Sequence, residues 1–505
     1  MKALRIKTIG NPSGTREEIA AAFEENRLEE LLRLDGEYII VLEAENRTTI
    51  VSSYYGVHQY FYTVAGPNFY HGETVFEVLR KSGLKWRYNF SALADVACLQ
   101  HVVEDDTLHP DIRRVPPATV LTYSNGTVTR KSLSWAEIHE RRKSTPEEAL
   151  EKFNSSCRRS LGDGNVLSLS GGFDSRLILS ALVRLGAKPL LLCMGFEDTT
   201  DAVISRQIAE TFGLSLERVS LELGDYFESG PDIVRLTGGT KTAENWHTYI
   251  YPRKSHLPPG CNFFVGANGE LARCYYTDYG AAARLANLVP SLAIPGWWAI
   301  KLHRVVKKER ALFRDAELPG MCGELRSELG AAGHRRRIAK LAALCHGAFL
   351  EGFDRFYLEQ RVRTFISNGL KLYSGRFSWR APFIDRDWVE SVMNLPRRFK
   401  FESRWHRFAI AQNEPKLLNI RFEKDVPNRV GFARCAEWFA HKRMVQFVLS
   451  NAHILQDLLD GNLVRSIVEE HVRLRNRTGT LSFLIAQIYW RLAVDVPASG
   501  AGTEV

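Results

Sequence analysis

Paired cysteines are missing from this chain. Its eight, Cys98, Cys157, Cys193, Cys261, Cys274, Cys322, Cys345 and Cys435, are scattered with no C-x-x-C among them, which excludes a zinc ribbon and a dithiol redox site. Several stand in apolar, strand-like runs, where a reduced and buried thiol is expected. No stretch reaches the roughly 18 uncharged apolar residues that a membrane-crossing helix needs. The opening MKALRIKTIGNPSG lacks the apolar core of a signal peptide, so the expected location is cytoplasmic. A large excess of one charge is missing too. Lysine and arginine number 67 against 58 acidic residues, a net +9, which suits an anionic substrate and gives no ground for nucleic acid as a partner. No internal repeat is visible, and the only low-complexity stretch is 497–505, which reads as a disordered tail.

What is present is material for more than one core. At 505 residues, 45% of them hydrophobic, the chain exceeds a single ordinary core, and two to three domains are expected. Residues 1–140 read as a β-rich unit. Tyr38-Ile39-Ile40-Val41-Leu42-Glu43 and Thr49-Ile50-Val51-Ser52-Ser53-Tyr54 are strand-like runs divided by Glu45-Asn46-Arg47. Ala118-Thr119-Val120-Leu121-Thr122-Tyr123 leads through Ser124-Asn125-Gly126 into Thr127-Val128-Thr129, and Asn-Gly between β-prone runs predicts a hairpin.

A polar stretch at 139–146 marks a boundary, and a second unit, 146–496, follows. Its pattern alternates: strand at 166–169, helix at 175–185, strand at 189–194, helix at 201–212, strand at 216–221. Units of this length predict an α/β fold with a parallel sheet covered on both faces. From about Ala281 the chain reads as largely helical.

The chemistry concentrates at Ser170-Gly171-Gly172-Phe173-Asp174-Ser175. A strand runs into two glycines, and a helix begins around Asp174. Two glycines let the backbone approach an anion closely, and the free N–H groups of a helix start then point at it. Ser170 and Ser175 add hydroxyl donors, and Asp174 can hold the Mg²⁺ that accompanies a triphosphate. The loop is not a Walker A sequence, because its G-x-x-x-x-G-K-[ST] spacing and lysine are missing. ATP is the expected ligand.

S-G-G-x-D-S after a strand resembles the signature of the pyrophosphate-loop ATPases, and the rest of the chain resembles the asparagine synthetase superfamily over nearly its full length. Met194-Gly195-Phe196-Glu197, with Asp201 and Ile208-Ala209, is similar to that family's second strand and its helix. Gly266-Ala267-Asn268-Gly269-Glu270 resembles its second phosphate-facing loop, and Arg380-Ala381-Pro382-Phe383-Ile384-Asp385 its R-x-P-F-x-D segment. Arg429-Val430-Gly431-Phe432 resembles a segment whose relatives carry a catalytic lysine. Leu34-Asp35-Gly36-Glu37-Tyr38 and His109-Pro110-Asp111-Ile112-Arg113-Arg114-Val115-Pro116-Pro117 resemble parts of the amide-hydrolysing domain.

The resemblance implies a glutaminase-like, Ntn-type β-rich domain followed by an adenine nucleotide α-hydrolase-like ATP-pyrophosphatase domain with a helical C-terminal part. It implies phosphates on Ser170, Gly171, Gly172, Asp174 and Ser175, adenine near Leu167, Met194 and Gly195, and pyrophosphate partly on Gly266 and Asn268. Asp174 and Glu270 are the implied Mg²⁺ ligands, and Glu270, Arg429 and Lys424 the implied catalytic groups. The chain also departs from the family. Residue 2 is Lys2 where glutamine-dependent members expose a cysteine, so no glutaminase activity is expected. Ala267 and Gly269 replace residues of the second loop, so a base for the amine must come from elsewhere, and Arg429 stands where lysine is usual.

The expected activity is ATP-dependent amide formation: a carboxylate is adenylated, pyrophosphate leaves, and an amine displaces AMP. The acid remains open among a ribosomal precursor peptide closed as in lasso-peptide macrolactam cyclases (with a leader-processing partner), a sugar acid or natural-product acid, and aspartate with ammonia. A tRNA-modifying ATPase and an inactive scaffold are the other classes. One further segment, Trp297-Trp298-Ala299-Ile300-Lys301-Leu302-His303-Arg304-Val305-Val306-Lys307-Lys308, followed by Arg335-Arg336-Arg337, reads either as a docking surface for an acidic partner or as an amphipathic helix with a solvated basic face.

Overall fold

The computed structural model describes residues 4–277, 285, 312–345, 349–427, 429–431 and 434–495. The basic segment 297–308 and the tail 497–505 lie outside the described residues.

Among the described residues the strands form three sheets. The first is antiparallel, in the order β1 (Arg5–Gly10), β2 (Tyr38–Ala44), β3 (Arg47–Ser52), β7 (Thr119–Ser124), β8 (Thr127–Ser132). Alternation along β2 sends Tyr38, Ile40 and Leu42 to one face, against Ile19 and Phe23 of helix α1 (Arg16–Glu24), and Ile39 and Val41 to the other, against Tyr60 and Val115. Both faces are thereby buried. The hairpin between β7 and β8 forms where the Asn-Gly pair predicts it, with φ of 51° at Asn125 and 79° at Gly126. Positive φ at both central residues matches the turn to the right-handed strand twist. A small sheet of β4 (Phe61–Ala65), β5 (Asn68–Gly72) and β6 (Arg113–Arg114) stands beside it. Helices α2 (Val75–Ser82) and α3 (Phe90–Leu99) follow, and their apolar residues join the main core shared with the rest of the chain.

The third sheet is parallel throughout. Its strands β9 (Asn165–Ser168), β10 (Leu190–Met194), β11 (Leu216–Val219), β12 (Asn262–Phe264) and β13 (Ser378–Arg380) lie in the order β11-β10-β9-β12-β13. Helices α4 (Pro146–Ser160), α5 (Phe173–Arg184), α6 (Thr200–Phe212), α7 (Leu223–Thr237) and α8 (His247–Lys254) alternate with the strands. The chain moves outward from β9 in one direction and then returns to add β12 on its other side. Direction therefore reverses between β9 and β12, and in open parallel sheets ligands bind outside the carboxyl ends of the strands at such a point.

The rest is mainly helical: α9 (Ala331–Leu344), a π-helical segment Tyr357–Ile366, α10 (Ser367–Tyr373), α11 (Arg386–Met393), α12 (Arg404–Asn413) and α13 (Thr478–Asp495) among others. The stretch after Ala281 is largely helical among the described residues, as expected, with β13 added at the sheet edge. Three residues are too few to show a periodic pattern. The polar stretch at 139–146 is tied to its surroundings: the His139 ring lies tilted 4.2 Å from that of Trp135, Arg142 donates to Glu390, and the Ser144 N–H donates to the Asn394 carbonyl. Among the described residues no helix is long and apolar enough to cross a membrane.

Candidate functional site

Two loops meet where the sheet reverses direction. The first, after β9, is held open by its own side chains. The Ser170 N–H donates to Ser175 Oγ at 3.1 Å, and Ser170 Oγ accepts from the Gly172 N–H at 3.3 Å. The Gly171 N–H donates to Asp201 Oδ1 at 2.6 Å, and its carbonyl accepts from the Glu423 N–H at 3.0 Å. Buried Arg176 donates to the carbonyls of Leu417, Ile420 and Arg421, tying the loop to that segment. Helix α5 starts on Gly172 with no side-chain cap. The N–H groups of its first turn are thus left for an anion.

The second loop, after β12, presses its backbone on Asp174. A Cβ at Gly266 would lie 3.0 Å from the Asp174 Cβ, and one at Gly269 would lie 2.4 Å from Asp174 Oδ1. Only glycine fits at that distance. The Asp174 carboxylate accepts from His406 Nε2 at 2.9 Å on Oδ1 and from Arg273 Nη2 at 2.6 Å on Oδ2. Burial alone would push its carboxyl up, but Arg273 and the His406 hydrogen bond outweigh that and hold it below the usual range. Glu270 lies 3.7 Å from Arg273 and accepts from the Tyr357 hydroxyl at 2.9 Å. Burial, and then the charge of Asp174, push the Glu270 carboxyl up.

Asp174, Glu270, Gly266 and the 170–175 loop are therefore brought together. Asn268 is fully buried at φ 74°, and its Nδ2 donates to the Phe383 carbonyl at 2.5 Å, so it ties the loop to the 380–385 segment. Leu167 is enclosed inside β9, between its neighbours Leu191 and Phe264. Met194 ends β10, and Gly195, at φ 131°, turns the chain against Thr199. Lys424 Nζ stands 4.6 Å from the Phe173 ring, beside the first loop. Arg429 is half-exposed, 3.7 Å from Glu423, and donates to the Lys424 carbonyl at 3.3 Å.

Sequence reasoning missed Arg273, His406 and Tyr357. The i, i+3 spacing of Glu270 and Arg273 was a signal for the first, but nothing local marks the other two. The loop geometry fits a polyphosphate. Each oxygen of Asp174 already accepts one hydrogen bond, one of them from a guanidinium, so a Mg²⁺ arriving with the polyphosphate would compete with Arg273 for it. Among the described residues no group of three or more His, Cys, Asp or Glu is placed to hold a metal.

No family model and no curated protein matches this chain.

Proposed function

We propose that the chain is an ATP-dependent ligase that adenylates a substrate carboxylate and passes the acyl group to an amine. One observation carries the reading most: a glycine-lined second loop lies against Asp174, at the first turn of an uncapped helix, at the reversal point of a parallel sheet. That combination suits a polyphosphate approached closely by backbone from two sides. On this reading residues 1–140 are a glutaminase-like, Ntn-type domain, and 146–496 an adenine nucleotide α-hydrolase-like unit of the asparagine synthetase type.

The residues divide the work as follows. A carboxylate oxygen attacks the α-phosphorus of ATP, the bond to the bridging oxygen breaks, and its electron pair leaves on pyrophosphate. The N–H groups at the start of α5 and the cations Arg273 and Lys424 stabilise the charge that develops there. The amine nitrogen then attacks the acyl carbon, the bond to AMP oxygen breaks, and the amine proton passes to Glu270. A carboxyl raised above its usual range is the stronger base for that step, and Tyr357 orients it.

The test is ATP–pyrophosphate exchange with panels of peptide, sugar and small acids. Exchange that needs an acid and disappears in Asp174→Asn supports the reading. Absence of exchange with every acid, in protein that binds ATP, would overturn it.

A further inference from the structure

A cavity of about 810 Å³ lies between the first antiparallel sheet and the edge of the parallel one. One wall is β1 with the turn before β2, where Asp35 and Glu37 stand. The other is the end of α4, strand β13 and the residues that follow it. The volume falls within the roughly 300–1,000 Å³ of sites that enclose a small ligand. None of residues 170–175 or 266–270 lines it. It shares only a wall with the second loop, since the Arg380 carbonyl accepts from the Val265 N–H at 2.9 Å and the Phe383 carbonyl from Asn268.

Most charges around the cavity cancel in pairs. Arg159 donates to Asp385, Lys7 stands 2.6 Å from Glu73, and Arg386 lies 3.5 Å from Asp35 and 3.7 Å from Asp387. His58, pushed down to about 4 by burial and by Lys371, is neutral. Two groups are left over. Among the described residues Arg380 has no carboxylate against it; its one hydrogen bond, at 3.5 Å, goes to the neighbouring Trp379 carbonyl. Burial pushes its guanidinium down, and no anion opposes that. Glu37, among the same residues, has no cation against it. The Ser53 hydroxyl donates to it at 2.7 Å and the Val57 N–H at 3.4 Å, yet burial still pushes its carboxyl up to about 7. Trp379 completes the lining. Its ring is stacked 4.9 Å from that of His58, and its Nε1 donates to Ser374 Oγ at 3.2 Å, so the indole is fixed in the wall.

A ligand with a strong charge of either sign would gain from one of the two leftover groups and be opposed by the other. A neutral ligand rich in hydroxyls uses both. Each hydroxyl donates and accepts, so neighbouring hydroxyls can accept from the planar fork of a guanidinium while donating to a carboxylate. The hydroxyls of Thr8 and Ser378, also on the lining, add further partners. A sugar ring has, besides, a face of C–H groups that packs on a flat indole. We propose that this cavity is a binding site for a neutral saccharide, with Arg380 and Glu37 on its hydroxyls and Trp379 against its ring face. The inference goes beyond the ligase reading and does not rest on it.

The experiment titrates full-length wild type, Glu37→Gln and Arg380→Met with maltose, cellobiose, lactose and N,N′-diacetylchitobiose, without nucleotide, by calorimetry and thermal melting. At least one disaccharide is expected to bind wild type, and to bind each variant at least about ten-fold more weakly, the worth of one hydrogen bond to a charged group. Affinity is expected to hold between about 0.05 and 0.5 M salt, because no net charge is recognised. Glu37→Gln keeps the shape of the side chain and loses no ion pair, so it is expected to melt with wild type, which separates lost binding from lost folding. Binding of no disaccharide to wild type, or equal affinity in both folded variants, would overturn the proposal. So would an affinity that falls steeply with salt. Alanine or glutamine bound more tightly than every disaccharide would overturn it too, by marking a site for a zwitterion.

Discussion

The backbone of Gly269 lies so close to the carboxylate of Asp174 that a Cβ at 269 would stand 2.4 Å from Oδ1. The two loops of the site are thus in contact through a missing side chain.

That contact makes Gly269→Ala a sharp test. The added methyl must push either the second loop or Asp174 aside, at a cost of about 1–3 kcal/mol for overpacking. Pyrophosphate exchange is expected to fall while the overall fold survives. Gly224→Ala is the control, because its Cβ would meet nothing within 4 Å and it lies in helix α7. Equal exchange in both variants would show that the two loops tolerate separation.

Asp174→Asn is expected to abolish exchange and to lower stability by about 1.5–3 kcal/mol, the worth of a hydrogen bond to a charged group. The loss arises because Arg273 loses the carboxylate it donates to at 2.6 Å. Adding Arg273→Met should restore part of the stability and none of the activity. Additive stability losses in the double variant would mean that the ion pair contributes no coupling.

Glu270→Gln separates the two chemical steps. If Glu270 takes the amine proton, amide formation should drop about 100-fold or more, the usual worth of a general base, while exchange stays within a few-fold. Tyr357→Phe should shift the same step by less. A Glu270→Gln variant that loses exchange and amide formation equally would assign the residue to nucleotide binding.

Lys241 gives a pH signature. Its pKa in the folded chain, about 7, is below the ordinary 10.5, so between those values the unfolded chain binds more protons. Stability therefore rises with pH across that window, and the cost of the buried charge is fully present below it. The groups facing Lys241 are Arg361 on the π-helical segment and His247 on α8; Glu244, in the turn before α8, accepts from Gln100. Melting curves of wild type and Lys241→Met, compared from pH 6 to 10, should diverge by up to one proton's slope, about 1.4 kcal/mol per pH unit. Parallel curves would show that Lys241 does not carry the shift.

What the sequence determined by itself is local. A strand, two glycines and a helix start at 166–175 follow from backbone freedom and unpaired N–H groups within ten residues, and they stand where expected. The Asn125-Gly126 hairpin is legible for the same reason, since two positive φ angles are a property of the turn alone. Gly266, Asn268 and Glu270 were visible only through likeness to a known loop, and that likeness did not reveal that Asn268 faces inward. Tertiary structure decided the rest. Arg273 and His406 reach Asp174 across 99 and 232 residues of chain, and Lys241 meets Phe365 only because the turn after α7 folds against the π-helical segment. No periodicity or turn chemistry encodes such meetings. They exist because burial of the surrounding apolar surface closes long loops whose entropy cost grows only slowly with length, and the charges are carried to each other by that closure.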